Sequence, residues 1–127
     1  MAWYVDTSAF LKLVTFEEES EALRSWFEAH ESVWSSQLLR TEATRAALRL
    51  GIDTEIIERA LDTVSLVLPS VTTFAVAGRL EPGPLRTLDA LHLATALEFG
   101  DDLEGLVTYG VRMIDAGRRS MIGIVSP

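Results

Sequence analysis

Apolar residues along this chain follow two alternating rhythms. Short, β-prone apolar runs lie at residues 2–5, 33–35, 65–68, 105–109 and 122–125. Each has the length of a buried strand and is bounded by polar or turn residues. Between them, the spacing and the start and stop signals predict helices. The first runs over 8–14, capped by Thr7 or Ser8. The second starts in the acidic run Glu17–Glu21 and carries Ala22, Leu23, Trp26, Phe27 and His30 on one stripe. A third, behind Ser36, covers 37–50 and stops at Gly51, and a fourth runs from Asp53 to about Thr63. Another begins at Thr72 or Thr73 and closes at the Glu81–Pro84 loop, and the last covers 111–120. Strands alternating with helices predict a mostly parallel sheet covered on both faces. Right-handed crossovers then line up the strand carboxyl ends, and ligands bind where strand order reverses.

One stretch departs from the amphipathic pattern. Between Pro84 and Gly100, Leu85, Leu88, Leu91, Leu93, Ala94, Ala96 and Leu97 leave little room for a wet face. Pro84 suits a first turn and Gly100 a left-handed helix end. A buried helix is expected, with Asp89 in its middle. A carboxylate there loses hydration, at a cost that a cation, a hydrogen-bond network or a proton must offset.

Composition narrows the class. A chain of 127 residues, 48% apolar and without repeats, suits one domain over 1–127. No apolar run approaches the roughly 18 residues of a membrane span, and no basic-then-apolar leader opens the chain. There is no cysteine, which excludes disulfides and thiolate metal sites. A cytoplasmic protein without membrane contact is the expectation. The net charge of −8 argues against a surface built for general nucleic-acid binding but leaves room for a local basic patch. That patch would be arginine, since Lys12 is the only lysine.

Four places bring polar groups towards the carboxyl edge. Asp6 follows the first strand, Glu42 lies just over one turn into the helix after the second, Asp89 sits on the apolar helix, and Tyr109–Gly110 ends the fourth strand. Three converging carboxylates would form a hard-oxygen cage for Mg²⁺ or Mn²⁺. Such an ion neutralises phosphate charge and makes hydroxide available for attack. Each residue also has an ordinary role. Asp6 can cap a helix, Glu42 can pair with Arg45, and Asp89 can pair with Arg86 or hydrogen-bond within the core. His92, one turn from Asp89, can hold it, touch substrate or be a paired core histidine. Spacing alone reaches a candidate divalent-metal site on an α/β domain and stops there.

The runs Tyr4-Val-Asp-Thr-Ser-Ala9, Ser35-Ser-Gln-Leu-Leu-Arg-Thr-Glu42, Leu88-Asp-Ala-Leu-His-Leu-Ala-Thr-Ala96 and Leu106-Val-Thr-Tyr109 occur in this order. Together they resemble the PIN domain, and most nearly the VapC toxin of bacterial toxin–antitoxin pairs. The third run is the most specific, and the resemblance extends over essentially the whole chain. It implies a three-layer α/β/α fold around a five-stranded sheet, and a Mg²⁺- or Mn²⁺-dependent endoribonuclease. It also implies that Asp6, Glu42 and Asp89 form the catalytic acid cluster, with Asp6 and Asp89 on the metal and Ser8 and Thr108 in support. A cognate antitoxin would restrain the enzyme, laying a helix near residues 8–30 and 53–64 with a basic side chain at the carboxylates. Homodimerisation is typical of the resembled family.

One position breaks the pattern. The fourth acid usual directly after the Thr-Tyr pair is here Gly110, and Asp115, five residues on, points to another helix face. Three acids with more water ligands, a weakened site, or an inactivated copy are all consistent with this. The nearest basic groups for an RNA substrate are Arg40, Arg45, Arg86 and Arg112, with Arg118 and Arg119 farther off; Arg86 and Arg112 are the phosphate-binding candidates. The alternative from another class is a silent PIN module that binds RNA or antitoxin without cutting. A flavodoxin-like phosphoacceptor domain ranks below both, because no lysine follows a late strand.

Overall fold

In a computed structural model, which describes residues 1–127, the strands are β1 (Ala2–Val5), β2 (Val33–Ser36), β3 (Ser65–Val67), β4 (Leu103–Val107) and β5 (Ile124–Val125). They form one sheet in the order β3-β2-β1-β4-β5, and every neighbouring pair is parallel. The helices are α1 (Thr7–Leu11), α2 (Ser20–Glu28), α3 (Leu38–Leu50), α4 (Thr54–Leu61), α5 (Val71–Ala77), α6 (Thr87–Leu97) and α7 (Val111–Arg119). The expected three-layer α/β/α arrangement is present.

The layers follow from strand periodicity. Val5 and Val107 face one way, into a core with Phe10, Leu23, Leu39 and Ile57 from α1 to α4. Tyr4 and Leu106, one residue earlier, face the other way, into a core with Leu91, Leu93 and Met113 from α6 and α7. Strand order reverses between β1 and β4, where Val5 lies opposite Val107. The residues that leave these two strands, Asp6 and Thr108, therefore emerge side by side at the switch point. Gly105 permits the packing behind them. A Cβ there would lie 2.8 Å from the Gly123 carbonyl oxygen and 2.9 Å from Trp3. Trp3 meets Trp26 edge-on at 5.2 Å and Trp34 meets Phe99 edge-on at 5.6 Å, so these tryptophans serve packing.

Several helix starts differ from the sequence expectation. Asp6, rather than Thr7 or Ser8, caps α1, which ends at Leu11. Ser36 accepts from the Leu38 amide from outside the turn, and Gln37 holds the cap position of α3. Ser70 caps α5 in a reciprocal pair with Thr73, so the helix starts before either threonine proposed for it. Gly51 adopts the left-handed conformation that ends α3, at φ 72°.

The largest correction concerns α6. It starts at Thr87, with Arg86 as its cap residue, and ends at Leu97. Pro84 lies before the helix, and Gly100 is left-handed as expected, at φ 55°, but it opens a short 3-10 turn instead of directly ending α6. Asp89 is therefore in the first turn, not the middle, where the helix dipole favours an acid. Residues 90–96 are all buried, but Leu88 is 46% exposed and Asp89 half-buried.

Candidate active site at the strand carboxyl ends

Asp6 is 2% exposed, and its carboxylate is held by three donors. Oδ1 accepts from the Ser8 hydroxyl at 2.8 Å and from the Ala9 amide at 3.0 Å. Oδ2 accepts from the Thr108 hydroxyl at 2.5 Å. Thr108 in turn accepts from the Gly110 amide at 3.1 Å. Asp6 is thus the helix cap that one reading of it expected, and the same side chain is tied to the β4 exit. Capping α1 fixes its rotamer, and the β4 exit fixes its second oxygen.

Asp6, Ser8, Arg86, Asp89, Gly110 and Arg112 line one cleft of about 220 Å³. It lies where the amino ends of α6 and α7 meet the β1 exit. Neither Arg86 at the start of α6 nor Gly110 at the start of α7 makes a side-chain cap, so the backbone N–H groups there have no side-chain cap. Burial raises the Asp89 pKa above the ordinary carboxylate value, and the nearby charge of Asp6 adds to this; His92 and Arg86 oppose it. Asp89 makes no ion pair with Arg86, contrary to the ordinary role considered for it.

Glu42 does not line that cleft, although its charge adds to the burial that raises the Asp89 pKa. Its Oε1 accepts from Thr7 Oγ1 at 2.9 Å and lies 2.6 Å from His92 Nε2. The ion pair considered with Arg45 is not formed. His92 is 1% exposed and holds Glu42, not Asp89; its Nδ1 lies 2.7 Å from the Tyr4 hydroxyl. Tyr4 is fully buried, and burial raises its pKa, so its proton stays on the oxygen. No three carboxylate or imidazole side chains stand together at metal-holding distance. The sequence reading gave Thr7 only a capping role and Tyr4 no place in the site, although Thr7 directly follows Asp6 and strand alternation puts Tyr4 on the α6 side.

The remaining arginines divide by partner. Arg40 pairs with Glu58 at 3.1 Å and Arg119 with Asp115 at 2.9 Å, both on exposed surface. Asp115 does not line the cleft. Arg86 and Arg112 have no ion-pair partner and lie on the cleft wall. Gly110 also lines the cleft, with φ −72° and ψ 123°, a conformation open to any residue.

An all-parallel sheet with acids at its switch point defines a class of α/β domain, and comparison with known proteins settles which one. The sequence pattern of the PIN domain matches residues 3–118, and the chain belongs to the PIN domain family. Within that family it is similar to the VapC ribonucleases. It is 41% identical over 127 residues to ribonuclease VapC46 of Mycobacterium tuberculosis, covering 99% of this chain and 98% of that one. It is 34% identical over 130 residues to ribonuclease VapC47 of the same species, covering 98% and 96%. In fold it resembles M. tuberculosis VapC20, described as a sarcin–ricin loop cleaving toxin, with a TM-score of 0.78 at 18% identity over 99% of this chain and all of that one. It also resembles a chain of a Klebsiella pneumoniae toxin–antitoxin complex, with a TM-score of 0.71 at 20% identity over 99% and 97%. No helix is long and apolar enough to cross a membrane.

Proposed function

We propose that this chain is a divalent-cation-dependent endoribonuclease, the toxin of a toxin–antitoxin pair. One observation supports this above the others. In a member of the PIN family, Asp6 and Asp89 share a cleft whose walls carry two arginines without ion-pair partners. The donor set suits a small hard cation: two carboxylates and the Ser8 hydroxyl, oxygen only, in a chain with no cysteine. Mg²⁺ commonly takes one or two carboxylates and keeps several waters, so two close acids fit it, and Mn²⁺ accepts the same donors. Burial, with the charge of Asp6 added to it, raises the Asp89 pKa, and a bound cation would offset that cost of ionisation. A bound Mg²⁺ or Mn²⁺ would supply charge neutralisation at the phosphate and an acidified water as nucleophile.

The chain's own residues have separable tasks in this reading. Asp6 and Asp89 hold the cation, and Ser8 and Thr108 keep Asp6 in place. Arg86 and Arg112 bind the RNA phosphates beside the break, with the uncapped amino ends of α6 and α7 adding partial positive charge. Glu42 contributes a third carboxylate from the rear of the site.

An antitoxin is the partner this reading requires. A groove between α2 and α4 is lined by Leu13, Phe27 and Ala60, and Phe16 beside α1 is 94% exposed; this surface suits an apolar helix. The homodimer expected of the family is assigned to Leu68, Val71 and Phe74, exposed at 82, 87 and 54%. Sedimentation of the chain with Phe74→Asp tests that face, and an unchanged oligomer would exclude it.

The primary test is cleavage of RNA by purified, antitoxin-free chain with Mg²⁺ or Mn²⁺, with EDTA and Asp89→Asn as controls. Loss of cutting in both controls is expected. Cutting that survives both overturns the proposal. Gly110 favours a second reading, a silent module that binds RNA or antitoxin, because the cleft lacks the acid usual there. Binding without cutting under every metal condition would select it.

A further inference from the structure

Glu42 does not sit free in the site; one of its two oxygens is tied down. Oε1 receives the Thr7 hydroxyl at 2.9 Å and faces His92 Nε2 at 2.6 Å, whereas Oε2 has no protein partner. A carboxylate oxygen only accepts, so Nε2 must carry a proton. In the neutral ring Nδ1 must then accept, and the buried Tyr4 hydroxyl, 2.7 Å away, is its donor. A directed chain results, from Tyr4 through His92 to Glu42, anchored in the core by a tyrosine and a histidine that are both almost wholly buried. Ser35 donates to the Val5 carbonyl at 2.7 Å and Thr95 to the Leu91 carbonyl at 2.7 Å, so neither hydroxyl supplies a proton to His92 Nδ1 in place of Tyr4.

We propose that His92 is a positioning residue: with Thr7 it pins one oxygen of Glu42 and thereby presents only the other to the site. This rests on the nuclease reading. It also bears on Gly110. A site short of one acid gains more from fixing the direction of its third carboxylate than a site with four. A free glutamate has three side-chain torsions to order on use, and the Tyr4–His92 pair orders them beforehand.

The proton placement is tested in the full chain by ring ¹⁵N NMR at mildly alkaline pH. The chain has two histidines, and they should show opposite tautomers. His30 Nδ1 lies 2.6 Å from the Trp26 carbonyl oxygen and must donate from Nδ1, while His92 should be protonated at Nε2. An unprotonated Nε2 on His92 overturns the inference. Function is tested by Mn²⁺ affinity, read by calorimetry in wild type, His92→Leu, Glu42→Ala and the double variant. His92→Leu should weaken Mn²⁺ binding by about 10- to 100-fold, the usual effect of removing an outer-shell partner. It should have no further effect in Glu42→Ala. An equal loss in both backgrounds means a packing role and overturns the inference. Tyr4→Phe/His92→Leu removes both buried partners together and keeps the test valid if the single variant folds poorly. His92→Gln, which restores an N–H near Nε2, should recover part of the affinity. Wild type that neither binds Mn²⁺ nor cuts RNA would sink the nuclease reading itself, a result distinct from the tautomer and the cycle.

Discussion

Gly110→Asp returns a carboxylate to the one cleft position where the resembled pattern has an acid. The backbone accepts it at no cost. Its φ is −72°, and an added Cβ would lie 3.6 Å from both Met113 Cβ and Thr108 Oγ1, ordinary contact distances. Gly110 caps α7 without a side chain, so an aspartate there should gain a few tenths of a kcal/mol over glycine, and about 0.3–1 kcal/mol from the dipole. Repulsion from Asp6 and Asp89 opposes this. Unit charges 4 Å apart repel by about 1 kcal/mol in water and about 4 kcal/mol at an effective dielectric of 20, and an open cleft lies nearer the first. The terms nearly cancel, so the metal-free variant should melt within about 3–6 °C of wild type, the shift expected for roughly 1 kcal/mol in a domain of this size. Cation binding breaks the balance. If the new carboxylate tightens Mn²⁺ tenfold, a concentration worth about 2.7 kcal/mol of stabilisation to wild type is worth about 4.1 kcal/mol to the variant. Melting curves with EDTA and with Mn²⁺ read this difference directly, and cleavage of a fluorescent RNA reads its catalytic consequence. An equal Mn²⁺-induced shift in both proteins, with equal cleavage, would refute the idea that Gly110 is a missing ligand.

Three further perturbations separate stability from function. Burial and the Asp6 charge raise the Asp89 pKa, so the unfolded chain loses this proton first as pH rises from the model-compound value of 3.8. The folded state is penalised from there up to its own higher pKa, and the penalty persists at neutral pH. Asp89→Asn should therefore melt higher than wild type at pH 7 without metal, with the gap closing in acid, while Mn²⁺ binding and cleavage are lost; a lower melting point at pH 7 would contradict the assignment. Thr108→Val takes the donor from buried Asp6 Oδ2 and should cost about 1.5–3 kcal/mol in urea unfolding, as for a hydrogen bond to a charged group, while Thr108→Ser should cost much less. Arg86→Ala and Arg112→Ala should each flatten the salt dependence of RNA affinity by about 0.7 in log–log slope, the value for one single-strand phosphate contact; unchanged slopes would return both arginines to the general surface.

Much of this architecture is local, and local chemistry is legible in a sequence. The strands and helices announce themselves by period, Gly51 by the left-handed turn it alone accommodates cheaply, and Asp53 by the cap it makes on the Glu55 amide. Asp6 was visible because it sits at the exit of a strand, where chain order and right-handed crossover dictate position; Asp89 stood out as a carboxylate in an apolar run, and Gly110 through the PIN resemblance. The fold class followed from the same alternation, and the PIN resemblance rested on runs of residues that need no coordinates. What the sequence could not decide was which side chain each polar group would meet. Glu42 found His92, 50 residues away, instead of Arg45 one turn on, and Tyr4 closed the same chain across 88 residues. The start of α6 at Thr87 likewise came only with the structure, and it moved Asp89 from the helix middle to its first turn. Period and propensity are properties of neighbours in the chain. Hydrogen-bond partnership in a core depends on which helix is pressed against which strand, and only the assembled layers bring those residues within three ångströms of one another.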